Sequence, residues 1–478
     1  MNVFDITAYG AVGDGARDNA LPIQKAIDAC AGSGGGIVRV PGSGTFMTGP
    51  FDLKSRVELR LERGSRILAN PDEMVYTKSA FRANMGEGSI WIGGENAERV
   101  TISGEGTIDG NGTAFMGPEE KAAYALKEFD TFDRRPHVLT LVNVTGLEIR
   151  GVTFGNSAYW CVHLVGCTEV DIHGIRIDNN LKIRNSDGID LDHTRNVRVS
   201  NCVIASGDDC ICFKTRREYA EFGPTENVTV TDCTMTSTSC AIKLGSENMD
   251  AIRNVDVRNC VIRSSNRGIG IQNRDEGVIE NIRFADFTIE GRLFDDVWWG
   301  KAEPISITAY RRKAAGGKDA NVRFAPGQME GRVGAVRNIV FTGIACTSEN
   351  GVFVGGEDGK ISDITFTDVR LAVEKRTHYD GGMYDLRPSD TIGLLRAGTH
   401  GFCLMNAASV AIRDSSVRWG AHTAPYFGAA VHAERVHGLT LDSFAGEGAF
   451  GDTPPIATSH CTNVSLGENG GHVRSPER

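Results

Sequence analysis

Between Arg184 and Thr215 the chain reads RNSDGIDLDHTRNVRVSNCVIASGDDCICFKT and carries two acidic clusters, Asp187 in NSDG and Asp208–Asp209 in SGDD. Each cluster is followed by the same alternation, Ile189 and Leu191 after the first, Ile211 and Phe213 after the second. A period of two marks a half-buried strand with one set of side chains inward. Two such strands one repeat apart read as neighbouring rungs about 4.8 Å apart, which brings three carboxylates to one cleft. Carboxylates that close repel, so at least one must keep its proton above the usual range. A protonated and an ionised carboxyl side by side are what glycoside hydrolysis needs, one to protonate the leaving oxygen and one to activate water. Either motif alone is what aspartate does when it caps a turn. Both together, at matched register in adjacent repeats, favour catalysis.

The inward pairs align as Val162/Leu164, Ile189/Leu191, Ile211/Phe213, Ile242/Leu244 and Ile269/Ile271. Two residues before each pair stand Trp160, Asp187, Asp209, Cys240 and Arg267; between the members stand His163, Asp190, Cys212, Lys243 and Gly270. This register makes Trp160 a wall of the cleft and sets His163 between the acidic rungs. It offers Lys243, Arg267 and Arg274 as cations on the rungs that follow. Lys214 and Glu247 come just after site strands and are placed to bind hydroxyls. Trp298 and Trp299 could each stack on a sugar face or fill the core.

These rungs belong to a longer repeat. Its clearest copies are NVRVSNCVI from Asn196, NVTVTDCTM from Asn227, NVDVRNCVI from Asn254 and NIRFADFTI from Asn281, at intervals of 31, 27 and 27 residues. Strands and turns at this period, with no helical pattern between them, argue for stacked coils. Parallel strands otherwise need crossover helices, so the pattern predicts an all-β fold, a right-handed parallel β-helix of about ten coils. Ile23, Ala26, Ile27 and Cys30 recur at helical spacing and end at SGGG. One amphipathic helix there suits the cap that an open end rung requires. The organisation expected is a single domain over 1–478, with a cap over about 1–56, coils over about 57–460, and insertions at about 292–335 and 374–400 that could wall a binding face.

Composition narrows the classes of function. The 58 glycines fit many tight turns. A net charge of −10 without a basic run excludes nucleic acid and anionic membrane as expected partners. The 12 cysteines fall inside apolar strand patterns and show no paired CxxC spacing, so neither a disulfide framework nor a metal or other cofactor is expected. The chain opens on MNVFDITAYG without a basic and apolar leader, from which a cytoplasmic protein is expected.

Taken together, YGAVGDG from Tyr9, SAYWCVHL from Ser157, NSDGID and SGDDCICFKT resemble glycoside hydrolase family 28, the polygalacturonase family, over roughly residues 3–400. The likeness is to its divergent bacterial members. It implies the pectin-lyase-like β-helix and an inverting hydrolase of pectin-derived oligosaccharides or polysaccharides. By motif, Asp208 corresponds to the general acid, and Asp187 and Asp209 to the pair that holds and deprotonates water. The family's GHG motif falls at Ser239-Cys240-Ala241, so Cys240 stands for its histidine. Its RIK motif falls at Gly270-Ile271-Gln272, so both cations are absent and Gln272 replaces the lysine. The substrate expected is a galacturonate- or rhamnogalacturonan-type oligosaccharide, attacked from its end. The alternatives are a calcium-dependent lyase on the same fold and a β-helix that binds carbohydrate without cleaving it.

Overall fold

The computed structural model describes residues 2–82, 88–128, 135–312, 331–389 and 393–467. They form two compact units, Met1–Thr234 and Met235–Arg478. In each, short strands pair in parallel with the equivalent strands one coil on, which is the right-handed parallel β-helix that the repeat predicts.

In the first unit the Val162–Val165 strand pairs with Ile189–Asp192 so that Val162 meets Ile189 and Leu164 meets Leu191. Ile189–Asp192 pairs in turn with Ile211–Thr215, Ile189 on Ile211 and Leu191 on Phe213. All six of these apolar side chains are buried, as the alternation requires. Asn196 and Asn227, which open two of the repeats, both take the left-handed backbone conformation, at φ 56° and 58°. Asparagine tolerates that conformation better than any other residue with a Cβ. The Asn227 amide also donates to Asn196 Oδ1 at 3.2 Å.

The expected helix spans Ala20–Gly32 and buries Ile23, Ala26, Ile27 and Cys30. Each isoleucine contributes about 1.5–3 kcal/mol by leaving water. Asp18 Oδ1 accepts from the Ala20 N–H at 2.8 Å and holds the first turn. Buried Asn19 ties the helix start to the sheet, its amide donating to Val12 O and Met47 O. The coils begin earlier than the pattern suggested. Val3–Asp5 already pairs with Gly36–Val40, and that strand with Val57–Leu61, so the region of the cap contains rungs of its own.

In the second unit Cys240–Asn248 pairs with Arg267–Asn273, Ile242 on Ile269 and Leu244 on Ile271. The next rung is Glu303–Ala309, which lies inside the expected insertion 292–335 and is buried along its whole length. That region therefore contains a rung of the coil. Most of its basic stretch, from Lys313, lies outside the described residues. The second insertion forms a hairpin, Met383–Asp385 against Leu394–Arg396, whose Tyr384 stacks on Phe353 at 4.5 Å. Phe284, Phe341 and Phe366 stack in successive coils at 5.1 and 5.0 Å. Asn281 and Asn338 bond across one coil at 2.7 Å although 57 residues separate them. Among the described residues no helix is long and apolar enough to cross a membrane.

Candidate active site

Asp187 ends the loop before Ile189–Asp192, and Asp208 and Asp209 lead into Ile211–Thr215. One oxygen from each of the three carboxylates lies within 4.8 Å of the others. Asp187 and Asp209 are buried and Asp208 is half-buried. The two motifs are locked together through atoms that tolerate little change. Ser186 Oγ donates to Ile183 O at 2.7 Å and accepts from the Gly207 N–H at 3.0 Å, joining NSDG to SGDD. A Cβ at Gly207 would lie 2.1 Å from Ile183 O, and one at Gly188 would lie 2.4 Å from Cys210 O. Both positions must be glycine for the backbones to approach this closely. Asn179, buried beneath the loop, donates to Ser186 O at 3.0 Å. The Asn185 N–H donates to Asp208 Oδ2 at 3.3 Å.

Burial pushes the Asp187 carboxyl well above the usual carboxylate range, and the charges of Asp190, Asp208 and Asp209 push it further; Lys214 opposes them. Asp187 Oδ1 has no hydrogen-bond partner among the described residues. The group thus keeps a proton where an isolated aspartate has lost its own. Asp190 is a fourth carboxylate here and was not singled out by either motif. It is buried, with Lys214 Nζ 3.5 Å from its Oδ1. Its signal in the sequence was only its place between the inward Ile189 and Leu191. The three clustered oxygens are also spaced to touch one hard cation, but calcium takes about six to eight oxygen ligands.

The remaining candidates are placed differently from the expectation. Trp160 is not an open wall: it is 5% exposed, packed edge-on to Phe81 at 5.1 Å and to His163 at 4.9 Å. His163 is buried with Nε2 3.3 Å from Asp192 Oδ2. Burial depresses its pKa and outweighs the pull of Asp192, so it is a neutral structural histidine. Lys214 lies 4.5 Å from the Trp160 ring and is paired to Asp190.

In the second unit, Cys240 is buried with Sγ 3.1 Å from Ile242 O. Arg267, 1% exposed, donates to both oxygens of Glu303 at 3.3 Å and to Asp385 O at 3.0 Å. Arg274 is equally buried and donates to Asn273 O and Leu386 O, both at 2.9 Å. Burial, then Arg312 and Arg267, push its pKa down to about 9. Both guanidiniums are buried and donate to the protein, with Arg274 Nε alone lacking a partner among the described residues, which corrects the expectation that they stand open as cations for the substrate. Lys243 Nζ lies 5.1 Å from the ring of half-buried Trp299, while Trp298 is fully buried. Gln272 is buried and neither end of its amide has a partner among the described residues.

A sequence profile described as Glycosyl hydrolases family 28 matches residues 74–379. The chain belongs to this family. A probable polygalacturonase from Vitis vinifera is 30% identical over 312 residues, 61% of this chain and 60% of that protein. An exopolygalacturonase from Zea mays is 26% identical over 56% of this chain and 62% of its own length. The chain therefore spans about three fifths of the curated relatives it matches. Among solved structures, the family 28 exopolygalacturonase of Yersinia enterocolitica superposes with a TM-score of 0.63 at 18% identity, over 97% of this chain and 78% of that one. These family 28 relatives overturn the cytoplasmic expectation. The curated ones are plant polygalacturonases and fungal endo-xylogalacturonan hydrolases, as a group secreted or cell-wall enzymes, and the start of the sequence is no guide to a leader.

Proposed function

We propose that the protein is a pectin-degrading glycoside hydrolase of family 28 with Asp187, Asp208 and Asp209 as its catalytic group. One observation carries the reading: three carboxylates converge within 4.8 Å, two of them buried and one half-exposed, in a cluster that retains a proton. Asp208, the half-buried member, gives its proton to the glycosidic oxygen as the C1–O bond breaks. A water held by Asp187 and Asp209 attacks C1 and yields its proton to Asp209, while Asp187 keeps its own. The next substrate meets the group after one proton has moved back to Asp208 through solvent. No electron leaves the system and no cofactor is required.

Inversion at C1 is the narrower part of the proposal. Inverting pairs usually stand about 6.5–9.5 Å apart and retaining pairs about 5 Å. A spacing within 4.8 Å taken alone favours retention. The family and the burial of two acids behind the third favour a water-holding pair. Proton NMR of the first product decides between them: the inverted anomer supports the water pair, and the retained anomer makes one aspartate a nucleophile. Exo action is supported by the name of the Zea mays relative and is tested by whether monomer or dimer is the first product from polygalacturonate.

The activity itself is tested by incubating the protein with pectic oligosaccharides, including rhamnogalacturonan fragments, with and without chelator. New reducing ends without ultraviolet absorbance, unaffected by chelator, are expected. An absorbing, chelator-sensitive product would turn the same acids into the calcium site of a lyase.

A further inference from the structure

Arg135 lies 73 residues before Asp208, in no acidic motif, yet it grips the loop that carries the site. It is 5% exposed. Its NH1 donates to Arg184 O at 2.6 Å and to Ala158 O at 3.1 Å. Its NH2 donates to Asn185 Oδ1 at 3.2 Å, and its guanidinium lies over the Tyr159 ring at 4.8 Å. From the other side Glu128 takes both arms of Arg184, at 3.1 and 2.7 Å. Residues 184 and 185 are thus held by backbone and side chain together. Asn185 sits at φ 60°, which turns its N–H onto Asp208 Oδ2.

We infer that Arg135 is a positioning residue for the proposed acid, acting through Asn185 to decide which oxygen of Asp208 carries the transferable proton. A peptide N–H can only donate, so Oδ2 is held as an acceptor and the proton rides on Oδ1. Without the grip, Asn185 can leave its left-handed conformation, where most residues with a Cβ are strained. Its N–H then swings off Oδ2, and the proton is shared between two oxygens of which one points the wrong way. The bond also favours the ionised form of Asp208, so its loss moves the alkaline limb of kcat to higher pH. Among the described residues of this unit, the charged groups that bear on that limb include Asp187 and Asp209 within the cluster, Asp190 and Lys214 behind it, and Arg135, Arg184 and Glu128 beside the loop.

The inference rests on Asp208 being the acid, and the experiment separates the two. Kinetics against pH are measured for wild type, Asp208→Asn, Arg135→Met, Arg135→Lys and Asn185→Gly. Asn185→Gly keeps the N–H and accepts positive φ but removes the oxygen that Arg135 holds, and it serves if Arg135→Met does not fold. Arg135→Met and Asn185→Gly are each expected to lose about 10- to 100-fold in kcat. KM should stay within about twofold and the alkaline limb should shift upward. Arg135→Lys keeps the charge and its donors on a single nitrogen, too few arms to reach all three acceptors as arginine does, and is expected to recover part of both effects. A loss that only tracks the folded fraction, with the limb unmoved, overturns the inference. Active wild type with an unimpaired Asp208→Asn variant overturns the reading of the acid instead.

Discussion

Replacing Glu303 by Gln changes one charge and almost no volume, at a site where four donors meet. Oε1 accepts from Arg267 NH2 at 3.3 Å and the Asp385 N–H at 2.9 Å; Oε2 accepts from Arg267 Nε at 3.3 Å and the Lys301 N–H at 2.7 Å. Whichever way the new amide is turned, its NH2 faces one arginine donor and one peptide donor. Arg267 meanwhile is left as a buried charge with no countercharge on that carboxyl. Breaking one side of a buried ion pair costs about 3–5 kcal/mol, against a total stability of about 5–15 kcal/mol for a folded domain. Urea denaturation followed by tryptophan fluorescence is the assay, since buried Trp298 lies in the adjoining loop. With a slope of about 3 kcal/mol per M, the transition that reports this unit should fall by about 1–1.7 M. Arg267→Met with Glu303→Leu removes both charges and should cost less than Glu303→Gln alone. It leaves the Lys301 and Asp385 N–H groups without an acceptor, so it does not reach wild type. A midpoint for Glu303→Gln within about 0.2 M of wild type would sink the argument. Arg267 would then be free to serve a substrate, and Arg267→Met should change KM.

Two further outcomes bear on the acid cluster. Asp208→Asn should lower turnover by about 10²–10⁴-fold with an unchanged circular dichroism spectrum; full turnover removes Asp208 from the mechanism. Asp187→Asn should abolish turnover and yet stabilise the fold at neutral pH. The sign follows from the raised pKa of Asp187. Above about pH 4 the folded state binds more protons than the unfolded one, so stability falls as pH rises through that window. An amide, which resembles the neutral acid, removes this slope. Urea midpoints for both proteins between pH 4 and 8 check it, and equal slopes refute it.

The fold was legible because period-two alternation and the asparagine-led repeats are direct images of the coil: Val162, Ile189 and Ile211 stack as their spacing implied. The acidic motifs were legible for the same reason, being fixed in register to those pairs. What the pattern could not carry was the partner of a side chain. Arg267 holds the register position of Asp187, and nothing local says that Glu303, 36 residues on, will neutralise it. Trp160 holds that position too, and its burial depends on Phe81 from a distant loop. Arg135 escaped notice because its work is done on backbone carbonyls and an asparagine about 50 residues away. The rung Glu303–Ala309 was hidden by polar Glu303, Ser306 and Thr308 at positions that read as loop.

The bond between Asn281 and Asn338 has a bearing on how such a protein can change. The asparagine turns of two successive coils meet at 2.7 Å although 57 residues separate them, among them the stretch that leaves the coil between Gly291 and Glu303. Length is therefore a free variable on one side of the coil and a fixed one at the asparagine turn. Loops of new size and composition can be traded between relatives, by evolution or by grafting, while the turn and its two flanking strands are left as they are. For this chain the practical unit of redesign is the loop on the coil, with the asparagine turn as the fixture that tells the engineer where to cut.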